Sequence, residues 1–393
     1  MILPINNYGL EARSQIQSLA ASEIRKVANR AMGKPDILPF WFGESDQTTP
    51  AFIRDAATLS IANGETFYSQ NLGRPYLRQG IADYLALLHG KVFEVDQIAV
   101  TGSGVSGLML AAQMLVSPGD KIVAVTPLWP NVVEIPKILS AKVERVSLEV
   151  KHGRWFLDLD KLLASLTPDT RILLLNSPNN PTGWTIDQVS IDVIAAHCRK
   201  HGIWVVSDDV YERLVFDPNL KSAPSFLKSA EPGDRVISVN SFSKAWSMTG
   251  WRIGWMVVPP ELSTDLAKVI EYNVSCVFEP IQRAGYAALT EGESTIMELR
   301  ARLQGTREVL LDGLLSLPGI EVPDADGAMY AFFRIQGHQE SLVLATQLID
   351  QVGLGLAPGG AFGPEGREWL RWCHAVDVGK LKLGLDRLRN FLI

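Results

Sequence analysis

The chain has 393 residues, which at roughly 100–200 residues per domain calls for two or three domains, or one large α/β unit with a smaller companion. Apolar residues make up 47% and charged residues 20%, the balance of a chain that buries a sizeable core and not of a disordered one. Lys plus Arg number 37 against 43 Asp plus Glu, a net charge of −6 with no long basic run, which argues against nucleic acid as the main partner.

Taken from the start, residues 14–33 place apolar side chains at helical spacing, and residues 49–64 open with the helix-start pair Thr49-Pro50. A turn-rich loop, PFWFGESDQTTP, lies between them. A helix is predicted over 74–90, ending on a left-handed cap at Gly90. From about 97 to 258 short apolar runs (QIAVTG, KIVAVTP, KVERVSL, RILLLNSP, IWVVSDD, RVISVNS, RIGWMVV) alternate with helical stretches. RILLLN and IWVVS are apolar without alternation, the mark of strands covered on both faces, so a mostly parallel sheet between helix layers is expected. From about 259 a long helical pattern leads into short strands and helices, including AMYAFFRI, LGLAPG and EWLRWCHA, that predict a small α+β domain. The fold expected is α/β with a seven-stranded, mostly parallel sheet. The expected division is an arm plus part of the small domain over 1–48, a large domain over 49–290 and a small domain over 291–393.

Cys198, Cys276 and Cys373 are an odd number, far apart, with no Cys-x-x-Cys pair. No basic start leads into a long apolar stretch, and no run of about 18 apolar residues occurs. A cytoplasmic protein with reduced thiols and no membrane segment is expected.

Ligands on parallel sheets bind at the carboxyl ends of the strands, so the residues following each run carry the chemistry. Gly102-Ser103-Gly104-Val105-Ser106-Gly107 is a G-x-G-x-x-G after a strand and before a helix, but the next strand ends in Thr126-Pro127 with no acid for a ribose. It reads either as a one-phosphate helix N-terminus or as a tight turn. Ser241-Phe242-Ser243-Lys244, with Arg252 eight residues on, puts a partly desolvated amine beyond a strand. The Ser-x-x-Lys of penicillin-binding enzymes is set aside, since neither Ser-Asp-Asn nor Lys-Thr-Gly occurs. Asn176 to Gly183 and Asp208-Asp209-Val210-Tyr211 end two further strands; each could be a turn alone. His197 and His201, four apart on a helix, lack a companion acid motif and read as a solvated helix end, with no metal expected.

Together SPNNPTG, SDDVYE, SFSKAWSMTGWRIGW and EWLRWCHA resemble the class I and II aminotransferases, the fold-type I pyridoxal phosphate enzymes related to aspartate aminotransferase. The resemblance runs from about Ile37 to the C-terminus. It implies pyridoxal 5'-phosphate as cofactor and a ping-pong transfer of an amino group from an L-amino acid to a 2-oxo acid through a Lys244 Schiff base. By the same resemblance Asp208, three before Tyr211, pairs with the ring nitrogen in preference to Asp209, and Tyr211 and Asn180 face the phenolic oxygen. Trp129 stacks on the ring. The backbone at Ser103, Gly104 and Val105, with Ser241 and Arg252, holds the phosphate. Arg371, with Asn180 and Gly43, grips the substrate α-carboxylate, and Tyr68 reaches the phosphate of a neighbouring subunit in a homodimer with shared sites.

The alternatives are another reaction of the same cofactor, such as a C–S or other β-lyase or a decarboxylase, and a non-catalytic ligand sensor. The sensor is disfavoured because only about 35 residues precede the resemblance. Trp41, Phe42, Trp129, Trp372 and the arm around Tyr8 suggest an apolar or aromatic side-chain pocket. With no second arginine placeable for a dicarboxylate, neutral or aromatic amino acids rank ahead of aspartate.

Overall fold

The runs that lack alternation become the middle of a seven-stranded sheet, because strands with helices on both faces have no side left for polar residues. The computed structural model describes residues 10–393. In spatial order the strands are Ile98–Thr101, Gly254–Val257, Val236–Ser241, Trp204–Asp208, Thr170–Asn176, Lys121–Thr126 and Lys142–Ser147. Only Gly254–Val257 runs against the others, so the other six end on one edge. Lys142–Ser147 is one of the two edge strands, and its exposed Lys142 and Glu144 keep that edge from pairing further.

A second, four-stranded antiparallel sheet is ordered Ile320–Glu321, Tyr330–Ile335, Trp369–Cys373 and Ala357–Pro358. Helices Glu293–Leu315, Ser341–Val352 and Val378–Leu392 accompany it. Leu38–Pro39 pairs in parallel with Leu354–Gly355. Phe40 N–H then donates to Gly355 O at 2.8 Å and Phe40 O accepts from Cys373 N–H at 3.2 Å, which fixes the Trp41–Glu44 loop beside the second sheet. Trp372, fully buried, packs its ring 5.0 Å from that of Phe40.

The helix expected over 49–64 is Ala51–Ala62, and that over 74–90 is Pro75–His89, with Gly90 left-handed at φ 65°. The span 14–33 differs: it holds two helices, Ser14–Gln17 and Glu23–Ala31. Ser22 accounts for the second start, since its hydroxyl accepts from Arg25 N–H at 3.3 Å. Among the described residues no helix is long and apolar enough to cross a membrane.

Candidate active site

The ends of five of these strands, all but Lys142–Ser147, and the Trp41–Glu44 loop enclose a cavity of about 540 Å³. On its floor, helix Gly104–Leu115 begins immediately after strand Ile98–Thr101, and Ser103 caps it by accepting from Ser106 N–H at 3.0 Å. Gly104 and Val105 line the cavity, so the free N–H groups of this helix start face it, a setting that favours an anion. Only glycine fits at 254 on the adjoining strand. A Cβ there would lie 2.5 Å from Asn240 O and 2.8 Å from Gly104 N.

Strand Val236–Ser241 delivers the lysine. Ser241 caps a one-turn helix, Phe242–Ala245, by accepting from Ser243 N–H at 3.1 Å, and the turn points Lys244 into the cavity. Its ammonium donates to Gly43 O at 2.6 Å. Burial lowers the amine's pKa to about 8. Arg252, left-handed at φ 54°, lines the cavity and donates to Thr249 O at 2.6 Å.

The adjoining strand ends in two aspartates that diverge. Asp209 turns away and accepts from the Ser207 and Ser238 hydroxyls, each at 2.5 Å. Asp208 faces the cavity, almost fully buried, with Val210 N–H as its own donor at 3.4 Å. Burial, reinforced by the neighbouring Asp209, raises its pKa to about 7. Asn176 ties the floor together, donating to Asp208 O at 2.8 Å and accepting from Asn180 N–H at 2.8 Å.

Arg371 comes from the second sheet, on strand Trp369–Cys373. Only 2% exposed, it donates to Asn180 Oδ1 at 2.9 Å and to Trp41 O, with its guanidinium 4.5 Å from the Tyr330 ring centroid. No carboxylate pairs with it among the described residues, and its buried Nε has no partner. An unpaired buried guanidinium is a site for an incoming anion.

Thus Gly43, Gly104, Val105, Trp129, Asn180, Asp208, Tyr211, Ser241, Lys244, Arg252 and Arg371 converge on one cavity, with Ser103 capping from behind. Tyr68 is not brought there within one chain; it stands 89% exposed. The aromatic pocket needs correction. Trp41, Phe42 and Trp129 line the cavity, whereas Trp372 points into the core on the other side of its strand, and Tyr8 lies outside the described residues. His374 is core, beside Thr306 Oγ1 at 3.1 Å, and His197 contacts Leu166 O at 2.8 Å.

Two residues of the cavity escaped the sequence reading. Tyr330, whose hydroxyl lies 2.5 Å from that of Tyr211, sits in an aromatic strand that reads as core. A Cβ at Gly43 would fall 2.0 Å from the Tyr330 hydroxyl, which explains glycine in that loop. Arg25, also in the cavity wall, lies in the span 14–33, where only the apolar spacing carries a signal, while Asn176, in the strand-end cluster, joins the wall as well.

Sequence and structure comparisons decide the family. The family described as aminotransferase class I and II matches residues 36–388. The chain belongs to the class I and II aminotransferases. This aminotransferase is 31% identical over 379 residues to an aspartate aminotransferase of Pyrococcus horikoshii, covering 94% of each chain. It is 30% identical over 379 residues to a probable N-acetyl-LL-diaminopimelate aminotransferase of Bacillus subtilis, covering 96% of this chain and 94% of that one. The solved aspartate aminotransferase of Thermotoga maritima superposes with a TM-score of 0.88 at 27% identity, over 97% of this chain and all of that one. These relatives favour transamination over the lyase and decarboxylase alternatives.

Proposed function

We propose that this aminotransferase binds pyridoxal 5'-phosphate at Lys244 and moves the amino group of an L-amino acid to a 2-oxo acid by a ping-pong route. The observation that carries this reading is a lysine amine, a buried carboxylate, a helix start with an arginine, and an unpaired buried arginine, all facing one cavity. The donor set fits the cofactor: Gly104, Val105, Ser103, Ser241 and Arg252 suit a phosphate, Asp208 a protonated ring nitrogen, Tyr211 and Asn180 a phenolic oxygen, and Trp129 a ring face. When bound, the cofactor supplies an electron sink for the carbanion formed at the substrate Cα.

In this reading the chain's own groups do the rest. Asp208, about half protonated near pH 7, would ionise fully beside a cationic partner, which keeps the opposite charge in place. Burial holds the Tyr211 hydroxyl well above its ordinary pKa, so it stays protonated and donates. Lys244, its pKa near 8, can both take and return the Cα proton near neutral pH. Arg371, with Asn180 beside it and Gly43 across the loop, holds the α-carboxylate as a fork. The large domain, 49–290, forms the floor, while 1–48 and 291–393 bring Gly43 and Arg371. We further read the protein as a cytoplasmic homodimer in which Tyr68 serves the neighbouring site.

Borohydride reduction of protein incubated with pyridoxal phosphate, followed by peptide mapping, tests the assignment. The label is expected on Lys244, and a label on any other lysine overturns it. An added amino acid alone should release its 2-oxo acid in an amount stoichiometric with protein; release of carbon dioxide instead would show a decarboxylase.

A further inference from the structure

The cavity carries one more cation than this reading uses. Four cationic side chains line it, Arg25, Lys244, Arg252 and Arg371, against two carboxylates, Glu44 and Asp208. Lys244, Arg252 and Arg371 are taken by the cofactor, its phosphate and the α-carboxylate. Arg25 is left, with no carboxylate partner among the described residues. Glu44 is already engaged, accepting from the Thr249 hydroxyl at 3.1 Å.

Three consecutive residues of one loop order three of these cations. Trp41 O receives Arg371, the Phe42 ring lies 4.9 Å under the Arg25 guanidinium carbon, and Gly43 O receives Lys244. The two arginines thus contact successive residues of this loop and line the same cavity, a setting for one small molecule with two acidic groups. Arg25 sits in the first turn of helix Glu23–Ala31, and Ser22, its cap, lines the cavity with it. That short helix follows a non-helical stretch at 18–22, so the start at Ser22 sets where the guanidinium enters.

We propose that Arg25 is a specificity-determining residue that receives the side-chain carboxylate of the substrate, so that acidic amino acids and their 2-oxo dicarboxylates are the preferred pair. The proposal deepens the transamination reading and rests on it for the role of Arg371. It reverses the order expected from sequence, in which no second arginine could be placed. The bland alternative is a surface arginine stacked on Phe42 for packing, a contact worth about 0.5–1 kcal/mol at exposed sites.

The test compares holoenzyme with Arg25→Gln and Arg25→Lys, using glutamate and leucine as donors with pyruvate as acceptor. Loss of a charge-assisted pair should lower the ratio of kcat/KM for glutamate to that for leucine about 10–100-fold, mainly through KM for glutamate. Arg25→Lys should restore part of that ratio, which a packing role would not. Independently of turnover, calorimetric titration with glutarate and with butyrate should show glutarate binding weakened in Arg25→Gln far more than butyrate. An unchanged ratio together with unchanged glutarate binding, or an equal loss for both classes, overturns the proposal. If the wild-type protein transaminates neither donor, the transamination reading fails, while the glutarate titration still decides whether Arg25 binds the second carboxylate.

Discussion

At the scale of single residues, the floor of the site is held against its own preference. Burial raises the Asp208 pKa to about 7 and lowers that of Lys244 to about 8, so each charged form is costly until a partner arrives. The sign for Asp208 follows from linkage: the folded carboxyl binds its proton more tightly than the unfolded one. Its cost to the apoprotein therefore grows as pH rises from about 4 to 7 and is constant above. Asp208→Asn should stabilise the apoprotein at pH 8 by on the order of a few kcal/mol, seen as a higher melting temperature, with the gain vanishing toward pH 4. Transamination should fall by a factor of about 100 or more, because an amide cannot hold a ring cation. Lys244 gives a second check. Competitive acetylation read by mass spectrometry should show its reactivity in the apoprotein rising with a midpoint near pH 8, well below that of the exposed lysines.

At the scale of elements, the contact between helix Gly104–Leu115 and strand Gly254–Val257 sets the helix start proposed to hold the phosphate. Gly254→Ala would place a methyl group against Asn240 O and Gly104 N, and backbone on both sides leaves little room to yield. The helix start must shift, so cofactor affinity should drop at least about tenfold along with a loss of 1–3 kcal/mol in stability. Equilibrium binding and thermal melts on the same preparation check both. Much of this level was legible in the sequence. The unalternating runs gave the sheet, Gly90 gave a helix end, and the residues after each strand gave the floor. The break at 18–22 was not, because the apolar spacing of 14–33 runs through it; what decides it is the Ser22 hydroxyl bonding forward to Arg25 N–H.

At the scale of the whole molecule, several aromatic side chains stand in solvent on a single chain: Phe67 at 83%, Tyr68 at 89% and Tyr272 at 90% exposed. Large exposed rings of this kind are usual where a second copy covers them. Light scattering should give a mass near twice 43.2 kDa. Shared sites predict a sharper result. Tyr68→Ala and Lys244→Ala chains, each impaired alone, should regain up to about a quarter of the wild-type activity when mixed in equal amounts and reassembled, because about half of the dimers are then hybrids and one site per hybrid has both residues. Hybrids with no regain would place each site within one chain.

The amino-acid order by itself determined the layered α/β fold and the floor of the site, since strands buried on both faces and turn residues at their carboxyl ends are local patterns. It also marked Lys244, Asp208, Arg252 and Arg371 through a resemblance that spans most of the chain. Only the tertiary structure decided which way each side chain faces. Asp208 and Asp209 are neighbours with opposite orientations, as are Arg371 and Trp372, and alternation along a strand separates them only once the cavity is known. Tyr330 and Arg25 join the site from elements that read as core and as surface, because packing of the second sheet and the Trp41–Glu44 loop against the first brings distant segments to one wall.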